Sequence, residues 1–316
     1  MIKVLYINHG LGSRCGVYDF GKRQFNQLAK SSLLDAVYAE CNSADEYASI
    51  YAIHQPSIVF FNYMQLVMPW VSKDSISGFP AKRVVVQHLF DPTSITAIMD
   101  GYSGLFDYMI CNDPTLKTSD NRIFPVGRTI HAGKSVDTQL SDGEIRIGSF
   151  GFGLPHKNFH IIMREINKHF DNAVFNLHMT VGTFTGDYTD GIIQSILREI
   201  TKPNIRFNHT SDYVSEEEIV EMLASNDINA LFYELPPSNA GISSSADYLI
   251  ASGKPMLLSD CALFRHIDES VPRYPNVNFA DIVNSYDTFS NNAIDLKNKY
   301  ANLFIDDIEK MIKEIL

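Results

Sequence analysis

Residues that could hold a ligand are concentrated in glycine-bearing segments that directly follow apolar, strand-like runs. The first segment, Asn8 to Gly21, contains Gly12 and Gly16 and lies between the first predicted strand and the first predicted helix. Glycine lets the backbone approach a ligand closely, and free amides at a helix N-terminus favour an anion. Arg14 could contact a phosphate or an acceptor, and Asp19 could lie on the acceptor side of a site or simply cap the helix. A plain tight loop explains the same residues.

A second candidate is His88, which ends the β-branched run that starts at Arg83. Ligands of open α/β sheets bind beyond the carboxyl ends of the strands, so His88 stands where chemistry is common. Asp91 could orient this histidine, or it could be the first residue of a turn with Pro92. His88 is therefore a candidate catalytic residue, although a purely structural histidine is the simpler interpretation of its position alone.

The third segment, residues 148 to 158, is typical of a strand, a glycine loop and a helix start. Lys157 and Asn158 stand at that helix start, where either anion binding or simple exposure to solvent is expected. His156 and His160 are four residues apart, as in paired metal ligands, but no third ligand is evident in the sequence. No metal site is predicted.

The fourth segment begins a predicted helix late in the chain, and it consists of Gly241, Ile242, Ser243 and Ser244. Amides and hydroxyls at such a helix start would hold a phosphate without any formal charge, although serine capping explains them equally well. Glu234 follows the predicted strand 228 to 232 and is the nearest carboxylate, so it is a candidate catalytic residue. By contrast, Ser215 and Glu218 have the spacing of a capping box and need no function.

Composition limits the classes of protein that fit. A chain of 316 residues with 45% hydrophobic content is long enough for two domains, and its net charge of -11 disfavours a nucleic-acid partner. The four cysteines are scattered, which suits reduced thiols, and the start of the chain is typical of a strand rather than a signal peptide. We expect a cytoplasmic protein. Residues 64 to 70 could touch the inner membrane face peripherally, although a buried strand and loop is the simpler interpretation.

Strand-like and helix-like patterns alternate, which is typical of parallel sheets wound by helices. Predicted strands in the first half are residues 2–8, 34–40, 57–62, 83–88, 106–111 and 122–126, and helices include 16–31 and 44–54. In the second half the predicted strands are 145–150, 173–179, 204–208, 228–232 and 255–258, and the helices are 157–169, 189–200, 215–224, 242–251 and one near 261–267. A polar linker at 129–144 divides the chain into domains 1–135 and 136–290, and 291–316 is a terminal helix that could pack back on the first domain.

The run from Pro203 to Asp260 resembles the donor-binding half of GT-B glycosyltransferases, especially the retaining family 4 enzymes. This resemblance implies two Rossmann-like, doubly wound α/β domains facing across a cleft. It also implies transfer of a sugar from a nucleotide diphosphate-sugar to a hydroxyl acceptor. Such enzymes need no cofactor or metal, because a lysine and helix amides take the place of a cation.

The resemblance assigns roles to particular residues. Lys157, with Asn158, corresponds to the lysine that holds the donor diphosphate, and His88 corresponds to a histidine that contacts the donor sugar. The loop holding Gly12 and Gly16 would lie beneath the sugar and diphosphate. Phe152 replaces a family arginine, and Ala240 and Tyr248 replace the two family glutamates. A shift of one residue would make Asp247 a ribose contact.

Three functions fit these residues. The first is a glycosyltransferase whose acceptor is a lipid-linked or surface glycan, with no nucleic acid as partner. The second is a non-catalytic relative that binds a nucleotide, a sugar or a protein partner in the same fold, which the missing glutamates favour. The third is a sugar-nucleotide epimerase, which also uses two wound domains.

Overall fold

The computed structural model describes residues 1–10, 15–131, 139–182, 186–234 and 241–316. The chain forms two compact units, Met1–Thr129 with Asn302–Leu316, and Ile130–Ala301. The division between these units falls after Thr129 and again after Ala301, while the domain limits at 135 and 290 stay predictions. The chain end assigned to the first unit is shorter than the predicted terminal segment.

The first unit is a parallel sheet with helices on both faces. Its strands are β1 (Ile2–Asn8), β2 (Leu34–Glu40), β3 (Ile58–Phe61), β4 (Lys82–Gln87), β5 (Tyr108–Cys111) and β6 (Ile123–Pro125). Its helices are α1 (Gly16–Leu28), α2 (Ala44–His54), α3 (Lys73–Ile76) and α4 (Ile95–Gly101). The strand order is β2-β1-β3-β4-β5-β6, and each adjacent pair is parallel.

Apolar side chains alternate between the two faces of this sheet because successive strand residues point in opposite directions. Leu5 and Ile7 join the core beneath α2, whereas Val4 and Tyr6 join the core beneath α1. The last helix of the chain, α11 (Leu303–Ile315), adds its apolar stripe to that second core. Burial on both faces explains why these strands are almost continuously hydrophobic.

The second unit repeats this architecture. Its strands are β7 (Ile145–Phe152), β8 (Ala173–Thr180), β9 (Ile205–Thr210), β10 (Ile228–Leu231), β11 (Met256–Ser259) and β12 (Arg273–Tyr274). Its helices are α5 (Phe159–His169), α6 (Thr189–Arg198), α7 (Glu216–Ala224), α8 (Ser245–Ser252), α9 (Phe279–Asn284) and α10 (Tyr286–Ala301), with short 3-10 turns at Pro155–Lys157 and Ala262–Phe264. The strand order is β12-β11-β10-β7-β8-β9, again with parallel neighbours.

Three local features differ from the sequence predictions. The predicted helix 157–169 is interrupted at Asn158, whose backbone is left-handed with a φ of 50°, so a 3-10 turn precedes α5. The predicted helix near 261–267 is only the short turn Ala262–Phe264. The end of the chain is two helices with a break at Asn302. The capping box of Ser215 and Glu218 is confirmed, since each side chain bonds the other's backbone amide.

The apolar segment 64 to 70 is partly built into the first core. Val67 and Met68 are buried, and the indole nitrogen of Trp70 donates to the carbonyl of Cys41 at 3.2 Å. Leu66 is the strongly exposed apolar residue there. No helix in the described ranges is long and apolar enough to cross a bilayer.

Candidate functional site

Both sheets contain a topological switch point, where the strand order reverses direction. In the first unit the reversal lies between β1 and β3, and in the second unit it lies between β7 and β10. Adjacent loops leave such a point toward opposite faces, so a crevice opens at the carboxyl ends of the strands. The residues that follow these four strands are therefore the first place to look for a ligand site.

In the second unit, three polar side chains meet over the bare Cα of Gly151, near the end of β7. A Cβ atom at this position would overlap Nζ of Lys157 and would lie 3.1 Å from the Tyr233 hydroxyl and 3.2 Å from the Ser245 hydroxyl. Gly151 also has a φ of 148°, which side-chain-bearing residues rarely adopt. The glycine therefore keeps open a small polar space. We call this group of four residues, Gly151, Lys157, Tyr233 and Ser245, the lysine cradle.

Lys157 is the charged centre of the lysine cradle, and it is buried with only 6% of its surface exposed. Its Nζ lies 4.9 Å from the ring centre of Tyr233 and 5.9 Å from that of Phe152. Burial lowers the pKa of Lys157 to about 7, and no carboxylate in the described part of the chain opposes that change. An ammonium held in this way is ready to bind an anion, because an anion would replace the water it has lost.

Tyr233 and Ser245 complete the polar lining. The Tyr233 hydroxyl donates to the carbonyl of Phe150 at 3.2 Å, which fixes the phenol over Gly151. Burial raises the pKa of Tyr233, and a hydrogen bond with Ser245 opposes that rise. The phenol therefore stays neutral and acts as a hydrogen-bonding group.

Helix α8 begins at this same place. Ser245 is its first residue and Ser244 its N-cap, and the Ser244 side chain makes no capping bond. The first-turn amides of a helix have no partner within the helix and carry its positive end. Of the predicted helix-start residues, Gly241 has a φ of 83°, and Ile242 is half-buried. The amide of Ser243 donates to the Leu263 carbonyl at 2.9 Å, so it is already in use.

The residues tied by resemblance to the nucleotide ribose lie on α8. Asp247 is completely buried, which does not favour a direct ribose contact, and that contact stays a prediction. Tyr248, which the resemblance predicts to stand in place of a family glutamate, donates through its hydroxyl to Oε1 of Glu216 at 2.6 Å. Its ring packs against Phe150, with centroids 5.0 Å apart in an edge-to-face arrangement. The Glu216 carboxylate therefore lies against the Tyr248 hydroxyl. Ala240 lies outside the described residues.

Glu234 and Asn158 are both connected to the 3-10 turn that holds Lys157, Glu234 by a hydrogen bond and Asn158 as the next residue of the chain. The amide of Glu234 donates to the carbonyl of His156 at 2.8 Å, and its side chain is exposed. Asn158, the residue after Lys157, is buried. Burial and the nearby Lys157 lower the pKa of His156, so this histidine is neutral near pH 7. Among the described residues, no three metal-ligating side chains lie close enough together to hold a metal ion, and His156 and His160 belong to no such group.

In the first unit, His88 lies one residue beyond β4 and is held by a chain of hydrogen bonds at the switch point. Asn62, after β3, donates through Nδ2 to Oδ1 of Asn8 and to the carbonyl of Val17, both at 2.8 Å. Its Oδ1 then faces Nε2 of His88 at 2.7 Å. Because Asn62 uses both amide hydrogens elsewhere, Nε2 of His88 must carry the proton, which leaves Nδ1 as an acceptor.

The surroundings of His88 keep it neutral. Burial, then the charges of Arg128 and His9, lower its pKa to about 3. The Phe20 ring and the imidazole pack edge to face with their centres 5.6 Å apart, and the Arg128 guanidinium lies 4.8 Å from the centre of the same Phe20 ring. His88 can therefore accept a hydrogen bond from a hydroxyl group at neutral pH.

The glycine loop after β1 is only partly described. Gly12 and Arg14 lie outside the described residues. Gly16 is the first residue of α1, and Asp19 is half-buried in its first turn. The N-cap is Cys15, so Asp19 is not the capping residue, although its charge is favourably placed near the positive end of the helix.

Sequence reasoning missed Gly151, Tyr233 and Asn62. A glycine inside a strand signals close approach of another group, so Gly151 had a readable signal. Asn62 directly follows β3, and Tyr233 lies two residues after β10, so both are beside a switch point. The switch points depend on the strand order, which the sequence alone does not give.

Comparisons with known proteins agree with this fold. Neither a protein-family model nor a curated protein sequence matches the chain. Among solved structures, a glycosyltransferase from Rickettsia africae has a TM-score of 0.67 at 13% identity, covering 99% of this chain and 98% of that one. HepE from Anabaena in complex with UDP-glucose has a TM-score of 0.64 at 13% identity, covering 100% and 99%. An alpha-glucosyltransferase in complex with UDP and a 13-mer DNA has a TM-score of 0.63 at 12% identity, covering 99% of each chain.

These likenesses extend over essentially whole chains. The fold is therefore the α/β fold of the GT-B glycosyltransferases, with two doubly wound parallel sheets.

Proposed function

We propose that this protein is a glycosyltransferase that moves a sugar from a nucleotide diphosphate-sugar to a hydroxyl acceptor. The observation that carries the proposal is the lysine cradle: a buried ammonium with no acidic partner in the described chain, beside the N-terminus of α8. A diphosphate supplies the negative charge and the acceptor oxygens that this group of donors needs.

In this proposal the lysine cradle assists departure of the leaving group. The bond between the sugar anomeric carbon and the diphosphate oxygen breaks, and negative charge grows on the diphosphate. Lys157 and the first amides of α8 stabilise that charge, and they do so most strongly in a site screened from water. Metal-independent transfer follows from this assignment, and Asn158 and Gly241 to Ser244 stay proposed parts of the phosphate site.

The acceptor hydroxyl attacks the anomeric carbon and loses its proton. Glu234 stays the proposed carboxylate for this step, since it is exposed and tied by its backbone to the turn that carries Lys157. His88 stays the proposed sugar contact of the first unit. Its neutral imidazole, with Nδ1 as acceptor, suits a sugar hydroxyl better than a phosphate.

UDP-glucose is the first donor to test, because HepE was crystallised with it. The acceptor is proposed to be a lipid-linked or surface glycan. One structural neighbour was crystallised with DNA, but a net charge of -11 makes this chain a poor partner for a phosphate backbone.

A binding protein without turnover is the second candidate. It is favoured by Tyr248, which stands where the resembling family has a glutamate and whose hydroxyl is already bonded to Glu216. Such a protein would use the lysine cradle to bind a nucleotide and release nothing.

A single assay separates these candidates. Purified protein is incubated with UDP-glucose with water as the acceptor hydroxyl, released UDP is measured by a coupled assay, and the glucose formed is identified by NMR. UDP release that is lost in His88→Ala, while UDP still raises the melting temperature of that variant, is the expected result. Stabilisation by UDP without release supports the binding protein, and a new UDP-sugar without release supports an epimerase. If neither UDP nor UDP-glucose stabilises the protein, the proposal is wrong.

A further inference from the structure

Gly21 stands in the interior of helix α1, where glycine is unfavourable. It is buried in the second turn of this helix, on the side that packs on the sheet. Glycine lowers the stability of a helix relative to alanine, because its backbone loses more freedom on folding. A glycine at such a position indicates that another group occupies the space of a side chain.

The space over Gly21 is filled by two amide side chains from the sheet. A Cβ atom at Gly21 would overlap Nδ2 of Asn62 and would lie 2.8 Å from both Cγ of Asn62 and Nδ2 of Asn8. Both asparagines are completely buried, Asn8 as the last residue of β1 and Asn62 directly after β3. These two strands are parallel neighbours at the switch point of the first unit. We call Asn8 and Asn62 the amide pair.

Hydrogen bonds prevent the amide pair from moving away from an added Cβ atom. Asn8 donates to the carbonyl of Tyr18 at 3.0 Å and to the hydroxyl of Tyr38 at 3.1 Å. Its Oδ1 accepts from the amide of His9 at 3.0 Å and from Asn62 at 2.8 Å. Every hydrogen-bonding position of the Asn8 amide is therefore filled, and a flipped amide would place donor against donor and acceptor against acceptor.

The amide pair also sets the position of the proton on His88. The carbonyl of Val17 accepts from Nδ2 of Asn62 at 2.8 Å, and a carbonyl cannot donate, so the Asn62 amide has one orientation. Its Oδ1 accepts from Nε2 of His88 at 2.7 Å, which leaves Nδ1 of His88 without a proton. His88 is only half-buried, as contact with a ligand requires.

We propose that Gly21 is a positioning residue for His88. The bare Cα of Gly21 admits the amide pair beneath α1, and the amide pair holds the His88 proton on Nε2. Under the proposed transferase function, on which this role rests, Nδ1 of His88 then accepts a hydrogen bond from a hydroxyl group of the donor sugar. Gly21 acts on that sugar only through Asn62 and His88.

The test begins with the tautomer of His88 in the protein without nucleotide. Long-range proton–nitrogen correlation spectra of protein with isotope-labelled histidine show which ring nitrogen is protonated, and loss of the signals in His88→Ala assigns them. In the wild type we expect a proton on Nε2 alone. In Gly21→Ala the added Cβ atom displaces Asn62, so we expect the form with a proton on Nδ1 as well.

Gly101→Ala is the matched control, because Gly101 is also helical and a Cβ atom there meets nothing within 4 Å. Its His88 signals should match those of the wild type. The rate of UDP release from UDP-glucose should fall at least about tenfold in Gly21→Ala, as misplacement of a contacting group does, and should be unchanged in Gly101→Ala. UDP affinity should stay the same in both variants, because the lysine cradle is untouched.

A double-mutant cycle separates positioning from damage to the fold. Gly21→Ala should lower the melting temperature of the wild type. In the Asn62→Ala protein the same substitution should raise it, because the space is then empty and alanine favours the helix. If Gly21→Ala alone does not fold, recovery of folding in the double variant supports the proposal, and failure to recover overturns it.

The proposal is also overturned if Gly21→Ala keeps the wild-type tautomer of His88, or if it destabilises both backgrounds equally. An unchanged rate of UDP release in a variant with an altered tautomer would overturn it too, since His88 would then have no part in transfer. The tautomer and melting measurements use no nucleotide. A wild-type protein that fails to release UDP would therefore overturn the proposed function, while these two measurements still decide whether Gly21 positions His88.

Discussion

The two switch points have the same topology, but one holds a neutral hydrogen-bonded network and the other a buried ammonium. At the first, Asn8, Asn62 and His88 form hydrogen bonds to one another, and His88 is neutral. At the second, Lys157 is buried beside two aromatic rings with no acidic partner in the described chain. The first arrangement is complete without a ligand and holds one acceptor atom in a fixed direction. In the second arrangement, burial of the Lys157 ammonium is unfavourable in free energy until an anion binds to it.

This difference separates residues that orient from residues that bind charge. A hydrogen-bonded amide network contributes to stability and should tolerate little change. A buried, unneutralised ammonium lowers the stability of the free protein, and this unfavourable free energy is offset when an anion binds. Such a loss of stability is common at functional sites. Substitutions at the two switch points should therefore have opposite effects on folding and different effects on nucleotide binding.

The largest expected effect comes from filling the space over Gly151. Gly151→Ala places a Cβ atom where the Lys157 ammonium lies and strains a backbone with a φ of 148°. We expect UDP affinity to fall by at least about 100-fold, roughly 3 kcal/mol, measured by isothermal titration calorimetry. Gly78→Ala is the control, since a Cβ atom at Gly78 meets no atom within 4 Å. Unchanged affinity in Gly151→Ala would remove the lysine cradle from the binding site.

The amide network can be broken at its centre. Asn62→Ala leaves the Val17 carbonyl and Nε2 of His88 without the partners they have now. The free energy of unfolding should fall by about 3 kcal/mol, the cost of unpaired buried polar groups, in a urea titration. The exposed Asn121→Ala should change it by less than about 0.5 kcal/mol. A loss in Asn62→Ala no larger than the control's would contradict a structural role for this network.

Lys157→Met should make the protein more stable rather than less. The pKa of Lys157 is about 7 in the folded protein and 10.5 without burial, so the unfolded chain binds the extra proton between these values. The burial penalty is thus fully present below pH 7 and disappears as the pH rises toward 10.5. At pH 7 we expect a melting temperature raised by roughly 5 °C, with the gain shrinking at higher pH. Lys168→Met, at an exposed position, should show no such gain. A gain that grows with pH would contradict this account.

The smallest expected effect is the pH dependence of UDP binding. Since only the protonated ammonium attracts the diphosphate, affinity should fall about tenfold between pH 7 and pH 8.5, as a pKa near 7 requires. A Lys157→Arg variant that still binds should show a flat profile, because its guanidinium stays charged. A flat profile in the wild type would mean that Lys157 does not neutralise the ligand.

The sequence predicted the scaffold better than the site. The predicted strands of the first unit lie within two residues of the observed ones, because buried parallel strands are continuous apolar runs. The predicted helix 157–169 begins only after Asn158, because that residue has a left-handed backbone. The apolar periodicity of the sequence continues through Asn158 and gives no sign of this break. Lys157 was identified from its position, but its meeting with Tyr233 and Ser245 depends on strand order. That order is a tertiary property which a single sequence does not display.

The most direct test of the account is the affinity of UDP for Lys157→Met, measured by calorimetry beside the wild type and Lys168→Met at pH 7. We predict that the wild type and Lys168→Met bind UDP equally, while Lys157→Met binds at least about 100-fold more weakly, as loss of a buried charge-assisted contact implies. Equal affinity of all three proteins for UDP would show that the buried ammonium does not hold a diphosphate, and it would contradict the proposed function at its centre.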